Sequence, residues 1–264
     1  MKRNNNLIFG LILTGGMMLL FLIGFFYTPY DPNAMDGSSK FMAPGFLHIM
    51  GTDNFGRDIF SRILEGLRTT FVVALSVTGI GTIFGIMIGA ITGYFGGWID
   101  EVLMRINDAM TAFPSILLAL VFISILGPGK YNVIIALGII FIPSYARIVR
   151  GEFMQIKTLD FVKSGKLMGA GNLRIMFLHI LPNLRISLLS AITIGFNNAV
   201  LAEAGMSYLG IGVQPPDASL GRMLSEAQGY LFSAPWYAIC PGIVIILLIL
   251  GFSLINEGLG EHND

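Results

Sequence analysis

A single cysteine, Cys240, occurs among the 264 residues. No intrachain disulfide and no cysteine-built zinc site can be made from it, and its apolar surroundings suit packing better than reactivity. Charge is scarce as well. Asp, Glu, Lys and Arg supply 12% of the chain, against about 25% in a soluble globular domain. Half the usual charge leaves too little polar surface to cover a water-soluble body of this size. The 16 basic and 16 acidic side chains cancel, so no basic field draws nucleic acid. A phosphate-binding loop would need Gly-x4-Gly-Lys-Ser/Thr, but Gly165-Lys166 runs into Leu167 and Gly129-Lys130 into Tyr131. ATP and magnesium therefore belong to another chain if they are used at all. His48, His179 and His262 lie in loops or the tail and no Gly-x-Ser-x-Gly occurs. That excludes the nucleophile and base, or the metal ligands, of an intramembrane hydrolase. No metal site and no cofactor are expected in this chain.

What the sequence has in quantity is apolar length. Hydrophobic residues make up 54% and the mean hydropathy is +0.75. A membrane span needs about 20 mostly apolar residues. Six stretches qualify: Leu7–Tyr27, Thr69–Phe95, and roughly Ala109–Leu126, Tyr131–Ala146, Ile186–Ala202 and Trp236–Asn256. The first follows a short basic start, Lys2 and Arg3, and exceeds a signal-peptide core; Thr28-Pro29-Tyr30-Asp31-Pro32 offers no small-x-small cleavage site, so it reads as an uncleaved span. The expected fold is all-α, with six transmembrane helices.

Loop charge sets the orientation. With a cytoplasmic N-terminus, ten basic residues fall inside and six outside. Segment 147–185 carries seven of the ten and decides the matter: both termini are placed in the cytoplasm. The chain divides into residues 1–68, a first span with an external segment and a helix-like run from about Arg57; residues 69–258, a five-span core with a cytoplasmic loop at about 147–185; and a short tail, 259–264.

Gly81, Gly85, Gly89 and Gly93 recur every four residues in the second span and fall on one helix face. Lipid offers little hydrophobic drive for helix association, so small residues that admit a close backbone do that work. The ladder predicts a tightly packed neighbour in this chain or a second subunit. Pro114 and Pro143 interrupt helix bonding inside the third and fourth spans. Glu203, preceded by Asn197 and Asn198, is the acidic residue nearest a span interior; such a group is a functional candidate by default, but its place near the span's outer end favours a structural hydrogen bond. In the external segment Asp53 can cap a turn, Gly56 permits an unusual backbone angle, and Asp58 stands four residues before Arg62. Singly these residues describe a self-capped helix across the outer face; together with Arg57 the segment is a candidate docking surface.

In the large loop, Phe161, Val162, Leu167 and Met168 recur at near-helical spacing, and Gly169 and Gly171 stop the helix. A short amphipathic helix outside the membrane follows. It could lie on lipid or dock in a partner's groove, and the residues alone do not decide between them.

The order of residues here resembles the signature loop of ATP-driven importer permeases, Glu-Ala-Ala-x3-Gly-x9-Ile-x-Leu-Pro. Lys163, Ser164 and Gly165 stand at Glu-Ala-Ala, Gly169 at the glycine, and Ile180-Leu181-Pro182 near the end, with Asp160 opening the helix. Lys163 reverses the charge of the family's glutamate. Further stretches resemble the dipeptide, oligopeptide and nickel subclass, and within it the second permease of the pair: Gly51-Thr52-Asp53 through Ser61-Arg62, Ala90 to Asp100, Ala202-Glu203-Ala204-Gly205 to Pro216, and Ser233-Ala234-Pro235-Trp236. The matches run from about residue 48 to 256; the end departs, with Gly258-Leu259-Gly260-Glu261. The resemblance implies a type I ABC importer permease fold in a bacterial or archaeal cell membrane. It implies partners: a homologous permease, two ATPase subunits docked on the coupling loop, and an external substrate-binding protein. It implies peptides as substrate, with nickel or metal chelates behind. From physics alone the competing class is an ion-coupled secondary transporter.

Overall fold

A computed structural model of the chain describes residues 5–260, with the side chains of 5, 259 and 260 left out. Lys2 and Arg3, and the tail from Glu261 including His262, lie outside the described residues. Among those described the chain is helical; the one extended pairing is an isolated bridge between Thr52 and Asp58. Five helices are long and apolar enough to cross a membrane: α1 (Asn5–Phe26), α2 (Ile59–Phe95), α5 (Lys130–Ile156), α8 (Arg185–Tyr208) and α10 (Trp236–Gly260). A sixth crossing requires α3 (Gly97–Thr111) and α4 (Ser115–Leu126) to be counted together across a 91° bend. Short elements fill the gaps: α6 (Asp160–Leu167), the single turn α7 (Asn172–Arg174) and α9 (Leu220–Ala227).

The third span thus differs from the sequence expectation of one helix over Ala109–Leu126. Pro114 has no N–H to continue the helix, and it disfavours helical angles at Phe113. The chain turns there, leaving α4 only 12 residues long, roughly 18 Å at 1.5 Å per residue. Three other boundaries move. The helix-like run from Arg57 does not lie across the outer face; it forms the first turns of α2, a 37-residue helix capped by Asp58 through the Ser61 N–H at 2.8 Å. The fourth span runs on past Arg147 and Arg150 to Ile156. That shortens the loop to α6, α7 and the irregular turns before Arg185. Pro143 sits inside α5 without breaking it, and its carbonyl accepts from the Asn107 side chain at 3.1 Å.

The seam between α2 and α5 is the centre of the bundle. All four ladder glycines face α5. A Cβ at Gly81 would lie 3.0 Å from the Tyr145 ring, at Gly89 2.5 Å from the Ala146 carbonyl, and at Gly93 2.6 Å from Phe153 Cβ; at Gly85 it would collide with Tyr145. The neighbour predicted from the ladder is therefore in this chain. Lys157 closes the seam, its ammonium donating to the Gly93 carbonyl at 2.6 Å at the end of α2. A second close seam joins α1 to α10, where Gly10 and Gly251 let the backbones touch. Two apolar clusters result. The larger is shared by α1, α2, α4, α5, α8, α9 and α10. The smaller gathers Ala90, Tyr94, Val149, Phe153, Val162, Ile175, Met176, Ile180 and Leu184 at the end of the bundle where α6 lies.

The seam predicts opposite signs for two alanine substitutions in one helix. Gly85→Ala inserts a methyl into Tyr145 and should cost about 1–3 kcal/mol. Gly79→Ala meets open space and should be neutral or stabilising by up to about 1 kcal/mol, the helix preference for alanine over glycine. Thermal unfolding of the detergent-solubilised protein checks both.

Candidate functional site

Three places gather the chemistry, and the sequence candidates divide among them. The first is a charge network at the α9 end of the bundle. Asp53 caps its own turn, accepting from the Phe55 and Arg57 N–H groups at 2.8 and 2.9 Å. Its second oxygen takes Arg57 Nε at 2.6 Å and lies 3.7 Å from Arg62 Nε. Gly56 holds φ +76°, and a side chain there would strike the Asp36 carbonyl. Glu226 of α9 completes the cluster. It accepts from Arg57 at 2.8 Å, Arg222 at 3.1 Å and the Tyr237 hydroxyl at 3.0 Å, with Arg62 at 3.4 Å. Asp58 does not pair with Arg62 four residues on; it caps α2 and binds His48 Nδ1 at 2.9 Å. Asp53, Arg57, Asp58 and Arg62 are each 5% exposed or less, so they build this end from within and touch nothing outside it. Glu226, Arg222 and Tyr237, far off in sequence, were missed; buried charge seeking a partner is the signal that asks for them.

Glu203 belongs to a neighbouring network. Fully buried, it accepts from Thr70 Oγ1 at 2.8 Å and Ser207 Oγ at 2.7 Å. Those hydroxyls in turn accept the Leu220 and Val213 N–H groups at 3.3 and 3.0 Å. Each hydroxyl donates once and accepts once, so α2, α8, the following loop and α9 are stitched together. Asn197 turns to α10, donating to the Ile249 carbonyl at 3.3 Å. Asn198 faces elsewhere, into the second place.

That second place is a groove of about 480 Å³ on α4, α5 and α8. Its polar side chains are Ser115, Ser144, Tyr145 and Asn198; the rest is Ile140, Ile148, Leu201, Met206 and their like, with no charged residue. Along the same face of α5 it continues into a polar hollow at Arg147, Gly151, Glu152 and Gln155. Apart from Asn198, no groove residue is a site candidate in the sequence, although Ala202, Gly205, Met206 and Leu209 fall in a stretch that carries the resemblance. The available signal is faint: α5 repeats Ile140, Ser144, Ile148, Gly151 and Gln155 at helical spacing, mixing apolar and polar residues on one face.

The third place is the α6 end. Val162 and Gly165 are buried against the small cluster, while Asp160, Lys163, Ser164 and Gly169 are exposed. Lys163 pairs with Asp160 at 3.0 Å. Gly169 adopts φ +83°; its N–H returns to the Lys166 carbonyl and that of Ala170 to Gly165, both at 3.0 Å. This is a Schellman stop, in which the left-handed residue is best supplied by glycine. Leu167 and Met168 are left 89% and 82% exposed, far more than a helix end facing only water needs. Leu181 and Pro182 open the 3-10 turn Leu181–Leu184 that leads into α8. Lys166 lies over the Tyr94 ring, 5.0 Å from its centre, and the Tyr94 hydroxyl binds Asn172 at 2.9 Å. α6 is thus held against the end of α2 through Lys166 and shares an apolar cluster with Val149 and Phe153 of α5.

Burial alone would raise the Glu226 carboxyl, but the Arg62 and Arg57 guanidiniums outweigh it and hold it below the ordinary glutamate value of 4.5. A depressed folded value means stability that is present above the ordinary value and is lost as pH falls through the folded one. Glu226→Gln should thus cost about 3 kcal/mol at neutral pH by stranding buried guanidiniums. Its deficit against the wild type should shrink below about pH 4.5. Paired thermal melts across that range measure the convergence.

Residues 85–261 match the family described as binding-protein-dependent transport system inner membrane component. The chain is 38% identical over its whole length to 91% of a dipeptide transport system permease protein of Haemophilus influenzae. It is 40% identical, again over its whole length, to 87% of one from Alkalihalophilus pseudofirmus. Over 94% of its length it is 38% identical to 84% of a glutathione transport system permease protein of Pectobacterium atrosepticum. In structure it resembles the MetNI methionine ABC transporter in inward-facing form, with a TM-score of 0.63 and 19% identity over 76% of this chain and 96% of that one. An amino acid ABC transporter crystallised with histidines gives 0.59 and 19% over 77% and 94%. These two likenesses concern the fold alone.

Proposed function

We propose, because the chain belongs to the family of binding-protein-dependent transport system inner membrane components, that the groove on α4, α5 and α8 is its half of a path for peptides. The chain is a multi-pass membrane permease subunit of an ATP-driven importer, a transport subunit and not an enzyme. The family and its relatives support that function over an ion-coupled secondary transporter. A permease of this family works with an ATPase and a substrate-binding protein; we assign a homologous permease and two ATPase subunits as the assembly. The observation that carries the path is the groove itself: uncharged, drawn from three helices, and partly open. A second permease facing it would supply the missing wall. An uncharged lining suits cargo that must pass without being held, so selectivity falls to the binding protein.

The α6 end faces the cytoplasm in this proposal. Arg105, Arg147, Arg150, Lys157, Lys163, Lys166, Arg174 and Arg185 all lie toward it, in keeping with the positive-inside bias. The α9 end, with its charge network, faces outward toward the binding protein. Leu167 and Met168, projecting from the Schellman stop, enter the ATPase. ATP and magnesium are bound there and not in this chain. ATPase closure pushes α6, and the cluster of Val162, Tyr94, Val149 and Phe153 passes the push to α2 and α5. The Lys163–Asp160 pair is the charge such an ATPase meets where the family carries glutamate.

Two experiments test this in proteoliposomes holding the whole transporter. In a Cys240→Ala background, Ser144→Cys should react with a methanethiosulfonate and lose uptake when labelled; undiminished uptake after full labelling removes the groove from the path. Gly169→Val forces a branched side chain into a left-handed residue, at about 1–2 kcal/mol, and should leave ATP hydrolysis detached from uptake. Wild-type uptake in that variant, or uptake without ATPase subunits, would overturn the coupling scheme.

A further inference from the structure

At the end of the bundle where α9 lies, large apolar side chains stand uncovered by the fold. Between α1 and α2 the segment from Phe41 to Thr52 holds no Asp, Glu, Lys or Arg, whereas residues 31–40 hold Asp31, Asp36 and Lys40. Its tip is a tight turn, closed by the Gly45 N–H on the His48 carbonyl at 2.8 Å. Turns favour Gly, Pro, Asn, Asp and Ser; this one presents Phe46 and Leu47 at its centre. Phe46 is fully exposed, Leu47 70% and Ile49 64%. Phe41 and Met50 of the same segment turn inward and pack on the core, so the segment is anchored while Phe46, Leu47 and Ile49 point away. The Phe41 ring lies 4.8 Å from that of Tyr230, which joins the segment to the turn before α10. There Phe232 is fully exposed as well, in a stretch, residues 227–256, that carries no charge.

The turn is held at a definite height. α1 and α10 run antiparallel, with Leu7 against Gly258, Gly10 against Ile255 and Thr14 against Gly251. That register brings Phe26 and Tyr27 level with the first turn of α10. The apolar runs of both helices end there, which marks the edge of the hydrocarbon. Tyr30 follows at once: its N–H donates to Ser61 Oγ at 3.1 Å, its hydroxyl to the Leu47 carbonyl at 2.7 Å, and its ring lies 4.9 Å from that of His48. His48 Nδ1 is 2.9 Å from Asp58, the α2 cap, and Trp236 Nε1 reaches the Thr52 carbonyl at 3.5 Å. The turn is therefore pinned beside the points where α1 and α10 leave the bilayer. We propose that Phe46, Leu47, Ile49 and Phe232 form a wedge in the headgroup region of the leaflet at this end, and that the partner they meet is lipid. Apolar faces that lie in this region sink about 5–10 Å, the reach of a single turn. Exposed Phe26 and Tyr27 on α1 continue the same apolar surface toward the hydrocarbon. A soluble partner that comes and goes would leave these side chains in water between visits, whereas lipid covers them throughout. Nothing in the wedge depends on the groove being a path.

The test uses the complete transporter in nanodiscs of phosphatidylethanolamine and phosphatidylglycerol, with Cys240→Ala as the parent. Nitroxides attached to Phe46→Cys and Phe232→Cys are read by power saturation against oxygen, which concentrates in lipid, and a nickel chelate, which stays in water. Both side chains are fully exposed, so the substitutions leave the packing intact. Oxygen should relax both labels more than nickel does. Gly37→Cys, where a side chain meets open space among the charged residues of the segment, should show the reverse. Phe46→Trp gives a reading without a label: its emission should shift to the blue and be quenched by brominated acyl chains, beyond the signal of Trp98 and Trp236 in the parent. Stronger relaxation of the Phe46 and Phe232 labels by nickel puts the turn in water and overturns the wedge. Nickel access that disappears only when the binding protein is added names that protein as the occupant, and overturns it too. Protection from both reagents without the binding protein marks a contact with the second permease, which equally excludes lipid.

Discussion

The close approach of α2 and α5 along the glycine ladder is the constraint on which the remaining structure depends. In lipid, two helices gain little by hiding apolar side chains from a solvent that is itself apolar; what they can gain is dispersion contact between backbones. Four glycines on one face of α2 allow that contact over three turns. Once α5 is fixed there, its opposite face is turned outward with Ile140, Ser144 and Ile148, and the groove exists. The same seam carries Val149 and Phe153 down to meet Val162 of α6. The groove wall and the contact with α6 are then two faces of one pair.

The two ends of that pair are finished differently. At the α9 end the fold buries charge: Asp53, Arg57, Arg62 and Glu226 pair with one another out of water, with Tyr237 donating to Glu226 and Arg62 Nε left without a hydrogen bond. Buried ion pairs add little net stability, but losing one member is costly, which makes them good at fixing a single arrangement. At the α6 end the charges of Lys163 and Asp160 stay in solvent and the apolar side chains of Leu167 and Met168 are left uncovered. One end turns its charges inward; the other leaves an apolar patch in solvent.

What could be seen in the sequence followed from periodicity and composition. The charge-free stretches located α1, α2, α5, α8 and α10, and the four-residue glycine repeat named a real contact surface before its partner was known. Helix ends were less legible. Arg147 and Arg150 look like the end of a span, yet α5 continues through them because Asp108 and Asp100 of α3 accept them at 2.9 and 2.6 Å. Such partners, forty to fifty residues away, cannot be read from a window of local hydropathy. Asp58 and Arg62 show the reverse error. Their spacing of four invites an ion pair, but Asp58 stands at the cap, where the helix's own N–H groups outbid a side chain for its oxygens. The groove stayed hidden because its residues come from three helices and carry no charge to betray them.

The bend at Pro114 ties these matters together. A helix broken at membrane depth frees carbonyls that lipid cannot satisfy, and such breaks persist only against protein or beside a water-filled cavity. Here the break falls between Thr111 and Ser115, and Ser115 and Ile116 are the first residues of α4 to line the groove. Asn107, one turn before the break, reaches across to the carbonyl of Pro143, the proline of α5. Two prolines that would each weaken an isolated span thus lie beside the same groove. The departure of the third span from a single straight helix is therefore what lets α4 pack on α5 and give the groove its third side. A straight helix would have satisfied the lipid and left the groove without that side.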